Sequence, residues 1–212
     1  MNTLENFWNR LSKNYDKQAK DKAYELIIDK SKKYFRSHDT VLDFGCATGL
    51  YAVEFANSVK EIQGFDISPK MIAIARNKKR NLNIDNITFS TTSLYDKKYK
   101  ESSFDTILAF NILLYFNDFE TVLNRMHGLL KTEGIIISST ACLKEKRTFI
   151  GILSSCIIYT LKKLKILPYL KFFTMLELKE RIKNCGFKII ETGILIDKPA
   201  TEYYIVAQKI NK

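Results

Sequence analysis

The chain is poor in the residues that build metal centres and disulfide frameworks. Its 212 residues include two histidines and four cysteines. No two of the cysteines form a CxxC pair: they are Cys46, Cys142, Cys156 and Cys185. A zinc site and a disulfide scaffold are both disfavoured. We therefore expect no bound metal and a reducing, cytoplasmic location.

Long hydrophobic runs are also missing. The first residues, MNTLENFWNRLSKNY, carry scattered charges and no apolar run, so we expect neither a secretion signal nor a membrane anchor there. The longest uncharged stretch, TFIGILSSCIIYTL, has 14 residues. That is too short to span a bilayer and fits a buried or interfacial helix.

Positive charge is in excess but is not concentrated. The formal net charge is +11, which favours either an anionic partner, such as nucleic acid or a membrane surface, or a well-solvated lysine-rich surface. The lysines are spread over many segments without a block of five. We favour the solvated surface.

Apolar segments with strand and helix periodicity alternate along most of the chain. Five short apolar segments predict strands at 40–44, 61–66, 87–92, 104–110 and 134–141. Amphipathic segments predict helices at 21–36, from Leu50, from Pro69 after the cap Ser68, and at 119–131. Strands joined by helices form a parallel sheet covered on both faces.

The C-terminal third departs from this alternation. A helix over 174–186 ends at Gly186, and strands at 187–196 and 201–209 follow as an antiparallel pair. The fold class predicted is α/β, a doubly wound, seven-stranded Rossmann-like sheet. The sheet is mostly parallel, with a C-terminal antiparallel strand and helices on both faces.

A glycine-rich loop, VLDFGCATG at 41–49, follows the first strand. In an open parallel sheet the ligand lies beyond the carboxyl ends of the strands, at the point where the strand order reverses. Gly45 and Gly49 let the backbone turn sharply. Asp66 ends the second strand, where an acid commonly holds ribose hydroxyls. These positions predict a nucleoside ligand.

The loop does not match a dinucleotide site. The G-x-G-x-x-G pattern would need glycine where the chain has Ala47 and Leu50. Asp43, two residues before the first glycine, would repel a pyrophosphate and would suit a ligand that carries a cationic group.

Several motifs in order resemble class I S-adenosylmethionine-dependent methyltransferases, in particular the ubiquinone and menaquinone C-methyltransferase-like small-molecule group. DFGCATG (43–49) resembles their D-x-G-x-G-x-G loop, and GFDIS (64–68) their second motif. SFDTILAFNILLYFND (103–118) resembles their fourth-strand motif and GLLKTEG (128–134) the turn before strand five. FWNRLSKNYD (7–16) is similar to their N-terminal Tyr-Asp segment.

The resemblance implies S-adenosyl-L-methionine as cofactor and assigns a set of binding residues. Asp43 would orient the ammonium group and Asp66 the ribose hydroxyls. Ser93 stands where relatives carry an acid, and Asp96 is a candidate to replace it. The implied cofactor-binding residues are Asp43, Gly45, Cys46, Ala47, Gly49, Asp66, Ile67, Met71, Ser93, Leu94, Phe110 and Asn111.

The implied reaction is transfer of a methyl group by in-line displacement to a small, apolar acceptor. Tyr115 falls where many relatives carry a histidine, and we assign it a catalytic role in orientation or hydrogen bonding. Core packing is its alternative role. Trp8 and Tyr15, together with Tyr115, are the predicted acceptor-binding residues.

We expect one methyltransferase domain over 1–212, with N-terminal cap helices in 1–36 and an inserted helical lid at 144–172. Two alternatives stay open. The enzyme acts on a lipid or quinone-like acceptor while contacting an anionic membrane peripherally, or the protein is a non-catalytic S-adenosylmethionine sensor. A nucleic-acid substrate is disfavoured because FNILLY is not the N-P-P-Y motif that clamps a flipped base and no separate basic domain exists.

Overall fold

A computed structural model describes residues 3–145, 169–198 and 200–210. Its centre is a seven-stranded sheet in the order β3-β2-β1-β4-β5-β7-β6. The strands are β1 (Thr40–Phe44), β2 (Glu61–Asp66), β3 (Ile87–Thr91), β4 (Phe104–Phe110), β5 (Leu130–Cys142), β6 (Phe187–Ile196) and β7 (Thr201–Lys209).

All neighbouring strands from β3 to β5 pair in parallel, and β7 runs antiparallel to both β5 and β6. The predicted sheet, mostly parallel with an antiparallel C-terminal strand, is confirmed. The order reverses between β1 and β4, so the loops after these two strands leave towards opposite faces and open a crevice between them.

Seven α-helices are described within the same ranges. They are α1 (Thr3–Leu11), α2 (Tyr15–Ala19), α3 (Lys22–Lys32), α4 (Leu50–Phe55), α5 (Pro69–Asn81), α6 (Phe119–Leu129) and α7 (Met175–Asn184). Side-chain caps fix several of their starts: Asp21 accepts from the Tyr24 amide, and Ser68 from the Met71 amide. The side chain of Thr174 caps α7 in a capping box with Glu177.

Two apolar clusters cover the two faces of the sheet. One joins α3, α4 and α5 to the sheet, with Ile27, Phe55 and Ile72 fully buried. The other joins α6 and α7 to the opposite face, with Phe119 and Leu178 fully buried. Because both faces are packed, the polar and functional groups of the sheet concentrate at its ends.

One strand boundary differs clearly from the prediction. β5 begins at Leu130, which pairs with Phe104, and a register shift then separates this pair from the one between Thr106 and Ile135. Of the segment LLKTEG, expected as a turn, Leu129 ends α6 and the residues from Leu130 form the irregular start of β5. Glu133 accommodates the shift with φ of 60°.

Most of the predicted lid at 144–172 falls on residues 146–168, which lie outside the described residues. Its described flanks approach each other: the Lys144 amide donates to the Phe173 carbonyl at 3.1 Å. None of the helices in the described ranges combines the length and apolar content needed to cross a membrane.

Candidate active site

The glycine loop leaves β1 through alternating left-handed residues. Gly45, Ala47 and Gly49 have φ of 69°, 47° and 71°. For alanine this conformation costs roughly 1–2 kcal/mol, so the surrounding contacts must hold the loop in place. A Cβ on Gly45 would lie 2.7 Å from Cγ1 of Ile112 in the turn after β4. The loop is thus closely packed against the next strand of the crevice.

Gly49 has a different role from Gly45. It caps α4 in a left-handed conformation, and a Cβ there would lie 2.5 Å from the ring of Phe89 on β3. Its amide donates to the Cys46 carbonyl at 2.8 Å. Gly49 therefore closes the turn and lets α4 approach the sheet, while Gly45 lies at the crevice itself.

Asp66 joins the end of β2 to this loop. One of its carboxylate oxygens accepts from the Ala47 amide at 3.1 Å, and the other from the Ser68 amide at 2.8 Å. Burial raises the pKa of Asp66, and the backbone amides of Ser68, Ala47 and Ile67 oppose that rise. Because each carboxylate oxygen can accept a second hydrogen bond, Asp66 is fixed in place and can still bind ligand hydroxyls.

Asp43 is a buried acid with an unsatisfied oxygen. It is 3% exposed, and its Oδ2 has no hydrogen-bond partner among the described residues. Burial, and then the charge of Asp66, raises its pKa to about 7. A buried carboxylate without a cation is costly to the fold. The arrangement favours a positively charged ligand nearby.

A cavity of about 180 Å³ lies over the crevice between β1 and β4. It brings together most of the predicted cofactor residues: Gly45, Ala47, Asp66, Ile67, Met71, Ser93, Leu94, Phe110 and Asn111. Trp8, Tyr15 and Tyr115, the predicted acceptor residues, also line it.

Three predicted cofactor residues do not line this cavity. Asp43 and Cys46 are buried beneath the loop, and Gly49 lies at the start of α4. Among them, Asp43 retains a free acceptor atom, whereas the thiol of Cys46 points at the Ala47 carbonyl, 3.8 Å away.

Six further lining residues were not foreseen from the sequence: Leu4, Phe44, Phe65, Tyr95, Ile112 and Phe116. Phe44, Phe65 and Ile112 each adjoin a residue that the motifs identify, so adjacency was an available signal. Leu4 carries no such signal, because only the docking of α1 brings it to the cavity.

Three aromatic rings form one wall of the cavity. Trp8 packs edge-on against Tyr115 with ring centroids 5.4 Å apart, and against Tyr15 at 6.3 Å. Burial raises the pKa of Tyr115 to about 12. Burial, and then the charge of Asp66, also raises the pKa of Tyr15. Both phenols are therefore hydrogen-bond donors and not bases near neutral pH.

The N-terminal helices are bound to the glycine loop and to α5 by polar contacts. Asp16 pairs with Lys78 of α5 at 2.7 Å and accepts a hydrogen bond from the Thr48 hydroxyl in the glycine loop. Asn9 accepts from the hydroxyl of Ser68, the N-cap of α5, at 2.6 Å. α1 and α2 thus form the roof of the cavity.

Asp96, the candidate to replace Ser93, and the histidine His127 both lie away from the cavity. Asp96 does not line the cavity, and its oxygens accept from the Thr92 hydroxyl and the Lys98 amide. His127 packs edge-on against Phe187, and its Nε2 lies 3.1 Å from the Ile210 carbonyl oxygen. Within the described ranges, no group of three or more His, Cys, Asp or Glu side chains is placed to hold a metal ion.

Comparison with protein families gives a match over most of the chain. A family model described as a methyltransferase domain matches residues 35–184. This range contains fifteen of the eighteen residues that line the cavity, among them those of the glycine loop, Asp66 and the turn after β4.

Two individual relatives are each 27% identical to the chain. The chain is 27% identical over 210 residues to the uncharacterized protein MJ1252 of Methanocaldococcus jannaschii, covering 89% of this chain and 78% of the relative. It is 27% identical over 173 residues to the demethylmenaquinone methyltransferase of Oceanobacillus iheyensis, covering 72% and 71%.

A solved structure shares the fold. The magnesium protoporphyrin IX methyltransferase of Synechocystis, crystallised with bound S-adenosylhomocysteine, superposes with a TM-score of 0.69. The match is 20% identical and covers 88% of this chain and 83% of that structure.

Proposed function

The chain belongs to the methyltransferase domain family and is an S-adenosylmethionine-dependent methyltransferase; from this premise we propose that it methylates a small, apolar acceptor by in-line displacement. The acceptor binds beside the aromatic wall of Trp8, Tyr15 and Tyr115.

The character of the cavity wall carries this proposal. None of the described residues that line the cavity is Lys, Arg or His, although the chain as a whole has a net charge of +11. An anionic acceptor such as a carboxylate or a phosphate would be buried there without a cation, at high cost. An apolar acceptor instead gains from contact with rings such as Trp8 and Phe116. The demethylmenaquinone methyltransferase among the relatives is named for a quinone-type acceptor.

The residues present fit the cofactor. Gly45 lines the cavity at a point where a Cβ would clash with Ile112, and Asp43 has an orphaned buried oxygen suited to an ammonium group. Asp66 is held by two amides and keeps acceptor capacity for ribose hydroxyls. We assign Ile67, Met71, Ser93 and Leu94 to the adenine side, and Ala47, Phe110 and Asn111 to the methionine side.

The protein's contribution to catalysis is orientation and the exclusion of water. S-adenosylmethionine supplies an activated methyl group and a good leaving group. Correct alignment of two reacting groups contributes about 7–11 kcal/mol to a rate. Trp8 and Tyr115 restrict the space beside the loop, and the Tyr115 hydroxyl donates a hydrogen bond to the acceptor. Since its pKa is about 12, Tyr115 does not act as a general base near pH 7.

We also assign the insertion at 144–172 to acceptor recognition, because its described flanks lie beside Tyr115. The Lys171 amide donates to the Leu114 carbonyl at 2.7 Å, directly beside Tyr115. The Tyr169 hydroxyl donates to the Asn117 side chain at 3.0 Å in the same turn. Residues 169–171, where the described part of the chain resumes, therefore lie next to the aromatic wall.

An acceptor screen tests the proposal. Release of S-adenosylhomocysteine would be measured with neutral apolar acceptors (phenols, quinols and aryl amines) and with size-matched carboxylates and phosphates. We expect turnover with the neutral set. Preferential turnover of the anionic set would contradict the proposal. Repeating the screen with anionic vesicles separates a soluble acceptor from one presented at a membrane.

A further inference from the structure

A third acid lies close to the cavity and has no part in the assignments above. Glu202, at the start of β7, is 8% exposed and forms no ion pair with any described residue. Its Oε1 accepts from Nδ2 of Asn111 at 2.7 Å and also from the Ser139 hydroxyl. Glu202 therefore contacts the cavity wall through Asn111, which lines it.

Asn111 is held from three directions. Its main-chain amide donates to the Ser139 carbonyl at 2.7 Å, and its side-chain Oδ1 accepts from the Ala141 amide at 3.1 Å. Because Ala141 supplies a backbone donor, Oδ1 must face it, and Nδ2 must face Glu202. The amide orientation of Asn111 is thereby fixed.

The backbone at Asn111 turns sharply out of β4. Its φ of 50° is left-handed, which asparagine tolerates better than most residues. Such a turn sets the direction of the carbonyl groups at the end of β4. The three hydrogen bonds to β5 and β7 keep it in that conformation, since an unconstrained residue would relax to negative φ.

A neutral side chain at position 202 could accept the same number of hydrogen bonds from Asn111 and Ser139. Glutamine at 202 offers the same carbonyl oxygen at a lower desolvation cost than a buried carboxylate. A carboxylate instead makes charge-assisted hydrogen bonds, which are roughly twice as strong as neutral ones. The acid is thus suited to a role that uses its charge.

We propose that Glu202 is a positioning residue for the methionine end of S-adenosylmethionine, acting through Asn111. It locks the left-handed turn through its charge-assisted hydrogen bond to Asn111, so that the β4 carbonyls accept from the ammonium group of the ligand. This inference rests on the assignment of Phe110 and Asn111 to the methionine side in the proposed function.

Two ligands separate this role from general structural support. S-adenosylhomocysteine carries the ammonium group, whereas 5′-methylthioadenosine has the same adenosine and thioether but no amino acid. By calorimetry we expect Glu202→Gln to weaken S-adenosylhomocysteine binding about tenfold, the size of one charge-assisted hydrogen bond made neutral. Binding of 5′-methylthioadenosine should not change. Equal losses for both ligands, or no loss for either, would overturn the proposal.

A double-mutant cycle tests the route through Asn111. Asn111→Gly keeps the left-handed turn accessible and removes the side-chain link, so it should itself lower S-adenosylhomocysteine affinity and spare 5′-methylthioadenosine. In that background Glu202→Gln should have little further effect. A second full tenfold loss would show that Glu202 acts independently of Asn111.

A matched control removes the same charge far from the cavity. Glu133 is exposed in the irregular start of β5, and Glu133→Gln should leave both affinities unchanged. If the wild-type protein binds neither ligand, the proposed function fails as a whole. If it binds both and Glu202→Gln matches Glu133→Gln, only the role of Glu202 fails.

Discussion

Asp66 and Ala47, 19 positions apart in the chain, are joined by a hydrogen bond of 3.1 Å from the Ala47 amide to the Asp66 carboxylate. The bond links the acid that ends β2 to the middle of the loop that follows β1. The residue assigned to the ribose therefore also holds the left-handed loop residue assigned to the methionine part. A change at Asp66 should affect both ends of the ligand.

Asp66→Asn should weaken cofactor binding more than it weakens the fold. An asparagine side chain has one acceptor oxygen, so one of the two amides that Asp66 now satisfies loses its partner, at about 1–3 kcal/mol. We expect S-adenosylhomocysteine affinity, measured by calorimetry, to fall at least tenfold. The loss of folding free energy, followed by melting temperature, should be smaller than the loss of binding free energy. Asp85→Asn, an exposed site before β3, is the matched control. Equal effects of the two variants would contradict the prediction.

Gly45→Ala should distort the site for two reasons: the added methyl has no room, and the left-handed backbone conformation is strained for alanine. The new methyl would lie 2.7 Å from Cγ1 of Ile112, at a φ of 69°. We expect a loss of stability of about 1–2 kcal/mol in urea titration, and weaker ligand binding as Ile112 shifts into the cavity. Gly128→Ala is the control, since its Cβ would meet only Oε1 of Glu101 at 4.0 Å within helix α6. That variant should gain about 0.5–1 kcal/mol.

Cofactor affinity should depend on pH through Asp43. Its pKa is raised from 3.8 to about 7, so between these values the folded protein keeps a proton that the unfolded chain releases. Stability contributed by this group therefore falls as the pH rises through that window. A cationic ligand favours the ionised form, so binding below pH 7 should release protons, and affinity should rise towards a plateau above pH 7.

Calorimetry in buffers of different ionisation enthalpy measures this proton release directly. Asp66 also has a raised pKa, so Asp43→Asn is needed to assign the effect. We expect that variant to bind more weakly with a flattened pH dependence between 6 and 8 (about one pH unit either side of the Asp43 pKa). An unchanged pH profile in Asp43→Asn would assign the titration to another group.

The sequence predicted the sheet well because its strands are short, apolar and separated by strong stop signals. The β6 and β7 boundaries agree with the predicted 187–196 and 201–209. The start of β5 was wrong, since LLKTEG was taken for a turn. Leu130 extends the strand by pairing with Phe104 across a register shift. That pairing depends on the partner strand, so the periodicity of the local sequence does not predict it.

The cavity wall was less accessible to prediction from the sequence. Alternate residues of a strand face opposite sides, so Phe44 reaches the cavity while its neighbour Asp43 is buried beneath the loop. The motif includes both Asp43 and Phe44 but does not indicate which of the two faces the ligand. Leu4 reaches the wall only because α1 docks on the cofactor loops, and Glu202 reaches Asn111 only because β7 inserts between β5 and β6.

Tyr115→Phe should lower turnover with little effect on cofactor affinity. The phenol lines the cavity, and its pKa of about 12 keeps it protonated, so the substitution removes a hydrogen-bond donor and not a base. We expect kcat to fall about fivefold, the size of one neutral hydrogen bond. The pH profile should keep its shape. An equal loss of cofactor affinity would instead indicate that Tyr115 packs against the cofactor.

The ion pair between Asp16 and Lys78 should hold the N-terminal helices over the cavity. The two charges are 2.7 Å apart, with 36% and 18% of their side chains exposed, and Asp16 also accepts from Thr48 in the glycine loop. Pairs with this much exposure are worth about 0.2–1 kcal/mol and weaken with salt. Asp16→Asn should therefore loosen α1 and α2 without unfolding the sheet, whose two apolar clusters lie mostly on other elements.

Limited proteolysis measures that loosening, with faster cleavage before residue 20 in Asp16→Asn and Lys78→Met than in the wild type. Bound S-adenosylhomocysteine should slow cleavage in all three, because Trp8 and Tyr15 on these helices line the cavity. In a double-mutant cycle the two substitutions should be less than additive. Lys79→Met is the control, since the neighbouring Lys79 donates to the Asp85 and Ile87 carbonyls and does not contact Asp16. If Lys79→Met accelerates cleavage as much as Lys78→Met, the ion pair is not what holds the helices.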